Sequence, residues 1–572
     1  MEQLELRCIN SLVKLLPGQD PEIGPEMAVG HWSALRGEKT AIQLAVRWSW
    51  TEQSGWYRSL ANLKIESSAA GLERFLTVRR VMTVPVRLPA YPRHDDNYLT
   101  VEPGLLPDLL TGLEAGPAPL TWTLRLPDSQ WQVFWLEIDV PADQTAGPLP
   151  LRITVDAENG ALPAEADIVL DIIPASLPRQ ELRRTEWFYA DCLADTYHVP
   201  VFSEAHWQIV ADFIRMAVDH GVNMLLTPLF TPPLDTAIGG ERTTVQLVSV
   251  TRTGSSWQFD FSLLKRWIDL AESLGIRFFE MSHLYTQWGA HAAPKILAEV
   301  DGEMRQVFGW ATDATGEAYR GFLAALLPEL TARLREWGLD GRCYFHVSDE
   351  PGKQHLRQYQ TCKDQIKPYL GDFPILDALS DFDFYETGAV EKPIPANNHI
   401  EPFLAAKVAN LWTYYCCGQY RDVSNLFMAM PSARNRILGV QLYLYEIEGF
   451  LHWGYNFYNN QTSLGRINPY LVNDADGAFP AGDAFLVYPG DDGRPEPSIR
   501  LKVFNEGLND LRALRLLESL TSRQAVVELI NQNLEEPITF SRYPHQAAWI
   551  LSLRERVNQA ITGAVTCKSQ PS

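Results

Sequence analysis

Residues 1–180 and 181–495 follow different hydrophobic rhythms. In the first stretch the period is two. Ile42-Gln43-Leu44-Ala45-Val46-Arg47 alternates in the manner of a half-buried strand. Farther on, Trp131, Val133 and Trp135 share one face of a strand, and Phe134, Leu136, Ile138 and Val140 share the other. Both faces are apolar, so that strand is expected to be buried on both sides. Turn signals recur at Pro103-Gly104, Ala146-Gly147-Pro148 and Asn159-Gly160. Short strands punctuated in this way predict a β-sandwich.

Past Pro174-Ala175-Ser176-Leu177-Pro178 the pattern changes to short apolar runs alternating with helical periodicity. Eight strands are predicted, near Thr185–Tyr189, Val222–Leu226, Arg277–Ser282, Tyr344–Ser348, Ile375–Leu379, Leu411–Cys416, Gly449–Trp453 and Ala484–Tyr488. One helix runs from Glu204 past Trp207, Val210, Phe213 and Ile214 to a stop at Gly221; another follows Ser262 and ends at Gly275. Ser203 and Ser262 suit N-caps, and both glycines suit the position just past a helix end. A third helix spans about Gly316 to Trp337, and a fourth starts at Pro431. Val245–Phe261 reads as a hairpin turning at Thr253-Gly254-Ser255-Ser256. From Ser498 onward the chain is helical, with Leu508, Leu511, Leu514, Leu516 and Leu517 on one strongly apolar helix. Lys568–Ser572 should fray. The expected architecture is α/β: a β-sandwich over 1–180, a (β/α)8 barrel over 181–495 and a C-terminal helical segment over 496–572.

Within this pattern one stretch stands out, Cys343-Tyr344-Phe345-His346-Val347-Ser348-Asp349-Glu350-Pro351-Gly352. A buried strand runs straight into two adjacent carboxylates and a Pro-Gly stop. Pro351 is expected to hold Glu350 in an extended conformation. In a parallel barrel the C-terminal lip of a strand is where catalysis is built. The plainer alternative is that Asp349 only caps the next helix; a cap needs one acid, and here there are two.

Other polar and aromatic groups fall at predicted strand ends: His283 and Trp288 after the third, Asp377 in the fifth, Tyr414 and Tyr415 in the sixth, Trp453, Tyr455 and Asn456 after the seventh, and Tyr488 in the eighth. Convergence at one barrel face would gather them around a substrate. For any one of these aromatics, core packing is an equal explanation, and for His283 and His452 a structural role is the default. Phosphate loops, dinucleotide fingerprints, His-Glu-x-x-His and Gly-x-Ser-x-Gly motifs do not occur. Asn473-Asp474-Ala475-Asp476-Gly477 lacks the full spacing of a calcium loop and reads as a polar turn. No metal and no cofactor is expected.

The formal net charge of −21 argues against nucleic acid and anionic membrane as partners. No run approaches the ~18 apolar residues of a membrane span. The acidic start Met1-Glu2-Gln3-Leu4-Glu5 lacks the apolar region of a secretory signal, and the seven cysteines, Cys416-Cys417 adjacent among them, show no framework spacing. Free thiols and a cytoplasmic location are expected. The 17 Trp and 21 Tyr suit a pocket that stacks on sugar faces.

Taken together these pieces resemble the glycoside hydrolase family 123 superfamily, including the related domain-of-unknown-function family 4091. The resemblance lies in Ser282-His283-Leu284 through Trp288-Gly289, Ser348-Asp349-Glu350-Pro351, Gly449-Phe450-Leu451-His452-Trp453-Gly454-Tyr455-Asn456 and Phe485-Leu486-Val487-Tyr488-Pro489-Gly490, with Leu35-Arg36-Gly37-Glu38 and Pro103-Gly104-Leu105-Leu106-Pro107-Asp108 in the sandwich. It implies hydrolysis of terminal β-linked N-acetylgalactosamine from a glycan or glycoconjugate, and an adjacent catalytic Asp-Glu pair at Asp349 and Glu350. Consecutive carboxylates do not easily straddle a sugar, which favours substrate-assisted chemistry by the 2-acetamido oxygen. Two alternatives stay open: a glycosidase of other specificity that pairs Glu350 with Asp377 or Glu446, and a silent carbohydrate-binding protein. The oligomeric state is also open, a homo-oligomer being allowed.

Overall fold

A computed structural model describes residues 3–17, 27–49, 60–69, 71–127, 129–157 and 162–569. The Asn159-Gly160 turn lies outside the described residues, as do residues 570–572 of the expected frayed end. The chain divides into two compact units, Met1–Gln180 with Leu426–Leu444 and Glu496–Ser572, and Glu181–Asn425 with Tyr445–Pro495.

The first unit holds a five-stranded and a six-stranded sheet. Strand Lys39–Ser49 lies inside the five-stranded sheet, between Gln3–Asn10 and Gln132–Asp139, all antiparallel. Both sheets contribute to one hydrophobic cluster, with Leu44, Trp48, Phe134 and Leu136 from one and Leu63, Leu124, Leu151 and Leu170 from the other. Ile42 through Val46 are all buried, whereas the alternation predicted one wet face. A central strand covered on both sides explains the difference. Residues 496–569 of this unit are mostly helical, in Ile499–Leu520, Arg523–Asn531 and Ala547–Ser569.

The second unit is built around short parallel strands that are almost wholly buried. Six form one parallel sheet in the order Cys343–Phe345, Phe278–Met281, Met224–Thr227, Arg183–Glu186, Gly449–His452, Trp412–Tyr415, a half-barrel. Leu376–Ala378 pairs instead with Lys392–Ile394, also in parallel. Parallel bridges link Phe345 to Ile375 and Ala396 to Tyr414. The predicted strand near Ala484–Tyr488 is corrected: the observed strand is Val487–Pro489, and it pairs with Pro495–Pro497 in a separate two-stranded sheet. Its apolar run resembles a barrel strand, but apolar character does not specify a partner.

Long helices follow the first four parallel strands, at Glu204–Asp219, Ser262–Leu274, Glu317–Glu336 and Leu356–Leu370. Ser203 caps the first by accepting from the His206 N–H, and Gly221 follows its end at φ 87°. The Ser262 cap is displaced by one turn residue: Asp260 accepts from both the N–H and hydroxyl of Ser262, and Gly275 ends that helix at φ 112°. Beyond Leu370 the helices of this unit shorten to about one turn, Asp383–Glu386 and Glu401–Ala405, while the helix expected at Pro431 is present in the sequence between the 412–415 and 449–452 strands, as Ser432–Arg436 and Leu438–Leu444. The hairpin is present as Ser249–Thr253 with Ser256–Asp260. All seven cysteines are free thiols. Among the described residues no helix is long and apolar enough to cross a membrane.

Candidate active site

A cavity of about 240 Å³ opens where the parallel strands of the second unit end. Every strand of the six-stranded sheet feeds it from its C-terminal side, through residues at or just past the strand. Trp187 and Tyr189 come from the first, Leu234 and Asp235 from the long loop after the second, and Gln287 and Trp288 from the loop after the third. Asp349 and Glu350 follow the fourth; Tyr414, Cys416 and Cys417 belong to the 412–415 strand and its exit; Leu451 lies in the 449–452 strand and Trp453 follows it.

The acid-bearing turn is held from both sides. The Trp288 N–H donates to the Asp349 carbonyl at 2.9 Å, and the Glu350 N–H donates to the Ala378 carbonyl at 3.0 Å. The Ser348 hydroxyl donates to the Thr286 carbonyl at 2.9 Å. These anchors put Glu350 at φ 42°, in the left-handed region, and not in the extended conformation expected before Pro351. Such a conformation costs on the order of 1–3 kcal/mol in a non-glycine residue and persists only where its surroundings over-determine it. Opposite, Trp288 also has a left-handed φ of 56°, and Gly289 sits at 121°. A Cβ on Gly289 would come within 2.8 Å of His355, so this turn requires glycine. Asp349 caps nothing: the helix beginning at Leu356 has His355 as its N-cap, and the Lys353 N–H donates to Asp381.

Tyr414 donates its hydroxyl to Glu350 Oε1 at 2.5 Å, and Cys416 Sγ lies 4.0 Å from the same oxygen. Burial raises Asp349 well above the usual carboxylate range, and Glu350, Asp377 and Asp235 add to it while His346 opposes. Burial also raises Glu350, with the Tyr414 bond opposing. Both adjacent carboxyls are pushed the same way, toward the neutral form, which favours one proton shared between them. Asp235 is pushed up to about 6 by burial, against the Thr462 N–H that donates to its Oδ2 and the charge of Arg242.

The structure brings together Asp349, Glu350, Trp288, Tyr414 and Trp453 from the sequence reading, and it places the other residues elsewhere. Trp288 is a rim residue, 43% exposed. Trp453 is fixed by its indole N–H, which donates to Asp483 at 2.9 Å. Tyr455 is in the core, its hydroxyl donating to the Phe213 carbonyl at 2.8 Å. Tyr415 and Tyr488 are fully buried and do not line the cavity. Asn456 grips the backbone of Tyr189, accepting from its N–H and donating to its carbonyl. His283 and Asp377 are buried, do not line the cavity and share a polar network with His346. Glu446, the other proposed partner acid, is exposed and away from the cavity.

Trp187, Tyr189, Asp235, Gln287, Gln461 and Phe479 are cavity residues that the sequence reading missed. The buried Tyr189 hydroxyl has no hydrogen-bond partner among the described residues. Arg242 stacks over the Tyr189 ring and is itself clamped by Asp191. Among the described residues, His283, His346 and Asp377 are a trio with potential ligand atoms within 4.8 Å of one another. His346 and Asp377 already hydrogen-bond to each other at 3.1 Å, so the trio is a polar network and no metal role is assigned to it.

Comparison with known proteins follows the same outline. Residues 187–517, more than half of the chain, match the family model for the glycoside hydrolase 123 catalytic domain. No curated protein matches. Among solved structures, a family 123 glycoside hydrolase from Clostridium perfringens, studied for glycolipid glycan hydrolysis, aligns at TM-score 0.72 and 15% identity, covering 99% of this chain and 98% of that one. At this identity the likeness concerns the fold. An endo-β-1,4-mannanase from Thermotoga petrophila aligns at TM-score 0.33 and 13% identity over 59% of this chain and 77% of that one. A β-glucuronidase from Parabacteroides merdae aligns at 0.31 and 10% over 88% and 51%. Likenesses this loose carry no weight.

Proposed function

The chain belongs to glycoside hydrolase family 123, and from that premise we propose that it releases terminal β-linked N-acetylgalactosamine from glycans or glycoconjugates by a substrate-assisted, retaining reaction. Glycan chains of glycolipids, the substrates named for the Clostridium perfringens enzyme, are the first class to try. The scaffold is read as an eight-stranded barrel, with Lys392–Ile394 as the member between Leu376–Ala378 and Trp412–Tyr415 and the two parallel bridges as its closures.

One observation carries the mechanism: the two acids are consecutive on one pinned turn at one lip of the cavity. They serve one side of a sugar ring. Ordinary retaining and inverting enzymes need carboxylates ~5–5.5 Å or ~6.5–9.5 Å apart on opposite sides of the bond. Here the substrate's own acetamido oxygen attacks C1 and displaces the leaving group. Glu350 protonates the departing oxygen and then, as carboxylate, takes a proton from the water that reopens the ring. Asp349 accepts the acetamido N–H and stabilises the positive charge that develops on closure. In the free site Asp349 is the harder pressed of the two toward its neutral form. The developing cation beside it reverses that preference and leaves the shared proton on Glu350. The nucleophile is tethered to the reacting ring, so no encounter has to be organised. Tyr189, with its unpartnered hydroxyl, is a donor available to the acetamido oxygen, while Trp187, Trp453 and Trp288 supply walls and rim for the sugar.

A second reading is favoured by one observation. Asp235 is the remaining carboxylate that lines the cavity, and it would be the partner acid of a conventional glycosidase. A panel of 4-nitrophenyl glycosides separates the readings. Turnover restricted to 2-acetamido sugars supports the substrate-assisted route. Turnover of plain hexosides that is lost in Asp235→Asn supports the second. Sugar binding without turnover leaves a carbohydrate-binding protein.

A further inference from the structure

Against the cavity residue Trp187 packs a column of buried ionisable groups that the proposed reaction does not use. His346 is fully buried, with one ring nitrogen on each side facing a carboxylate: Nδ1 is 3.1 Å from Asp377 Oδ1, and Nε2 is 3.4 Å from Glu280 Oε2. A neutral imidazole has one donor and one acceptor nitrogen, so a ring flanked by two acceptor-only groups satisfies both only as the imidazolium. Burial alone would lower His346, but the bonds to Asp377 and Glu280 outweigh it and bring it up to about 9. His283 stacks on it at 4.3 Å, has no hydrogen-bond partner at either nitrogen, and is held neutral by burial and by the neighbouring charge. Asp377 is raised above the usual carboxylate range, because burial outweighs the donations it receives from His346, the Tyr359 hydroxyl and the Val347 N–H.

Each carboxylate leads on to the active site. Glu280 Oε2 also accepts the indole N–H of Trp187 at 2.9 Å, and Trp187 lines the cavity. Asp377 accepts the Val347 N–H through both oxygens, two residues ahead of Asp349. We propose that His346 is a positioning residue: a buried imidazolium that ties the sugar-facing Trp187, through Glu280, to the acid-bearing turn, through Asp377, and that favours the ionised form of Asp349 during ring closure. The proposal rests on the catalytic roles assigned above to Asp349 and Glu350. The charged and titratable groups that act on Asp349 are Glu350, Asp377, Asp235 and His346. Those facing His346 are Glu280, Asp377 and His283.

The test uses two substitutions that reach the imidazolium in different ways. In His346→Gln the column loses its positive charge, so Asp349 faces uncompensated carboxylates and the acid limb of kcat/KM moves up. In Glu280→Gln one of the two carboxylates that hold the imidazolium is lost, while the amide oxygen can still accept from Trp187, so His346 yields its proton more readily and the limb moves up by less. A shift of about one pH unit is expected in His346→Gln, with a 4-nitrophenyl 2-acetamido glycoside as substrate. A limb that stays fixed in both variants, or that moves down in either, overturns the proposal, because a merely structural role moves no pH limb. Histidine ring NMR on the wild-type chain and on Asp349→Asn keeps the column testable apart from catalysis. Imidazolium signals from His346 at pH 8 in both proteins support it, and a neutral ring at pH 7 overturns it. Full activity in Asp349→Asn would sink the catalytic reading instead, and the NMR result would still decide the state of the column.

Discussion

The Tyr414–Glu350 contact makes a prediction whose size follows from the structure. Tyr414→Phe removes one hydroxyl and keeps the ring, so packing in the 412–415 strand is preserved. The lost bond is the 2.5 Å donation to Glu350 Oε1, and it favours the carboxylate over the acid. Hydrogen bonds to charged groups contribute about 1.5–3 kcal/mol, and 1.36 kcal/mol corresponds to one pKa unit. Glu350 must be protonated to serve as acid, so its ionisation sets the basic limb of the rate profile. Removing the donor raises its pKa, and the basic limb should move up by about 1–2 pH units. Stability carries the same sign. Glu350 is already raised in the fold, its ionisation already opposes folding as pH rises, and Phe deepens that loss above the limb while leaving low pH almost unchanged. The assay is kcat/KM against pH on an unactivated disaccharide, where protonation of the leaving oxygen is required. A nitrophenyl substrate should show the limb only faintly. A basic limb that stays in place or moves down would refute the assignment of Glu350 as the acid held by Tyr414.

Three further outcomes are expected. Glu350→Gln should lose most activity on alkyl or disaccharide substrates and least on nitrophenyl ones, whereas Asp349→Asn should lose ~10²–10³ in rate on both, as a removed transition-state contact does; a Brønsted plot over leaving groups reads the difference. Asp235→Asn should raise the melting temperature at pH 7–8 and leave it unchanged near pH 3.5. Burial lifts Asp235 to about 6 in the fold, so the penalty of ionising it is absent below its ordinary range and complete above 6, a gain on the order of 3 kcal/mol on removal. A 2-acetamido thiazoline that mimics the closed ring should inhibit wild type strongly and Asp349→Asn weakly in a competition assay.

The acids were legible because three local signals agree at one place: a buried strand, two carboxylates and a proline stop. The strands of the half-barrel were legible for a related reason, since parallel strands buried on both faces read as continuous apolar runs. The last strand was not. Leu486-Val487-Tyr488 is as apolar as any of them, whereas Lys392-Pro393-Ile394 carries a proline and a charge that argue against a strand. His283 and Asp377 sit near predicted strand ends, which puts both among the candidate sugar contacts although a structural role is the default for His283. Which way a side chain points there depends on neighbouring strands, and these two turn toward His346. Trp187 and Tyr189 were absorbed into the first predicted strand, which in fact stops at Glu186 and leaves both at the cavity. Asp235, Gln461 and Phe479 come from irregular segments, where no periodicity marks a residue. Cys416-Cys417 was visible as a pair, but only the strand end brings it beside Glu350.

The central claim is that the substrate's acetamido oxygen, and no side chain, attacks the anomeric carbon. The measurement that addresses it most directly is kcat/KM for a series of 4-nitrophenyl 2-acetamido glycosides in which the acetyl hydrogens are replaced by fluorine one at a time. Fluorine weakens the carbonyl oxygen as a nucleophile without enlarging the substituent much. The account predicts a steep, progressive fall in rate along the series. A flat series, together with a glycosyl adduct on Asp235 or another side chain in the quenched enzyme, would contradict it.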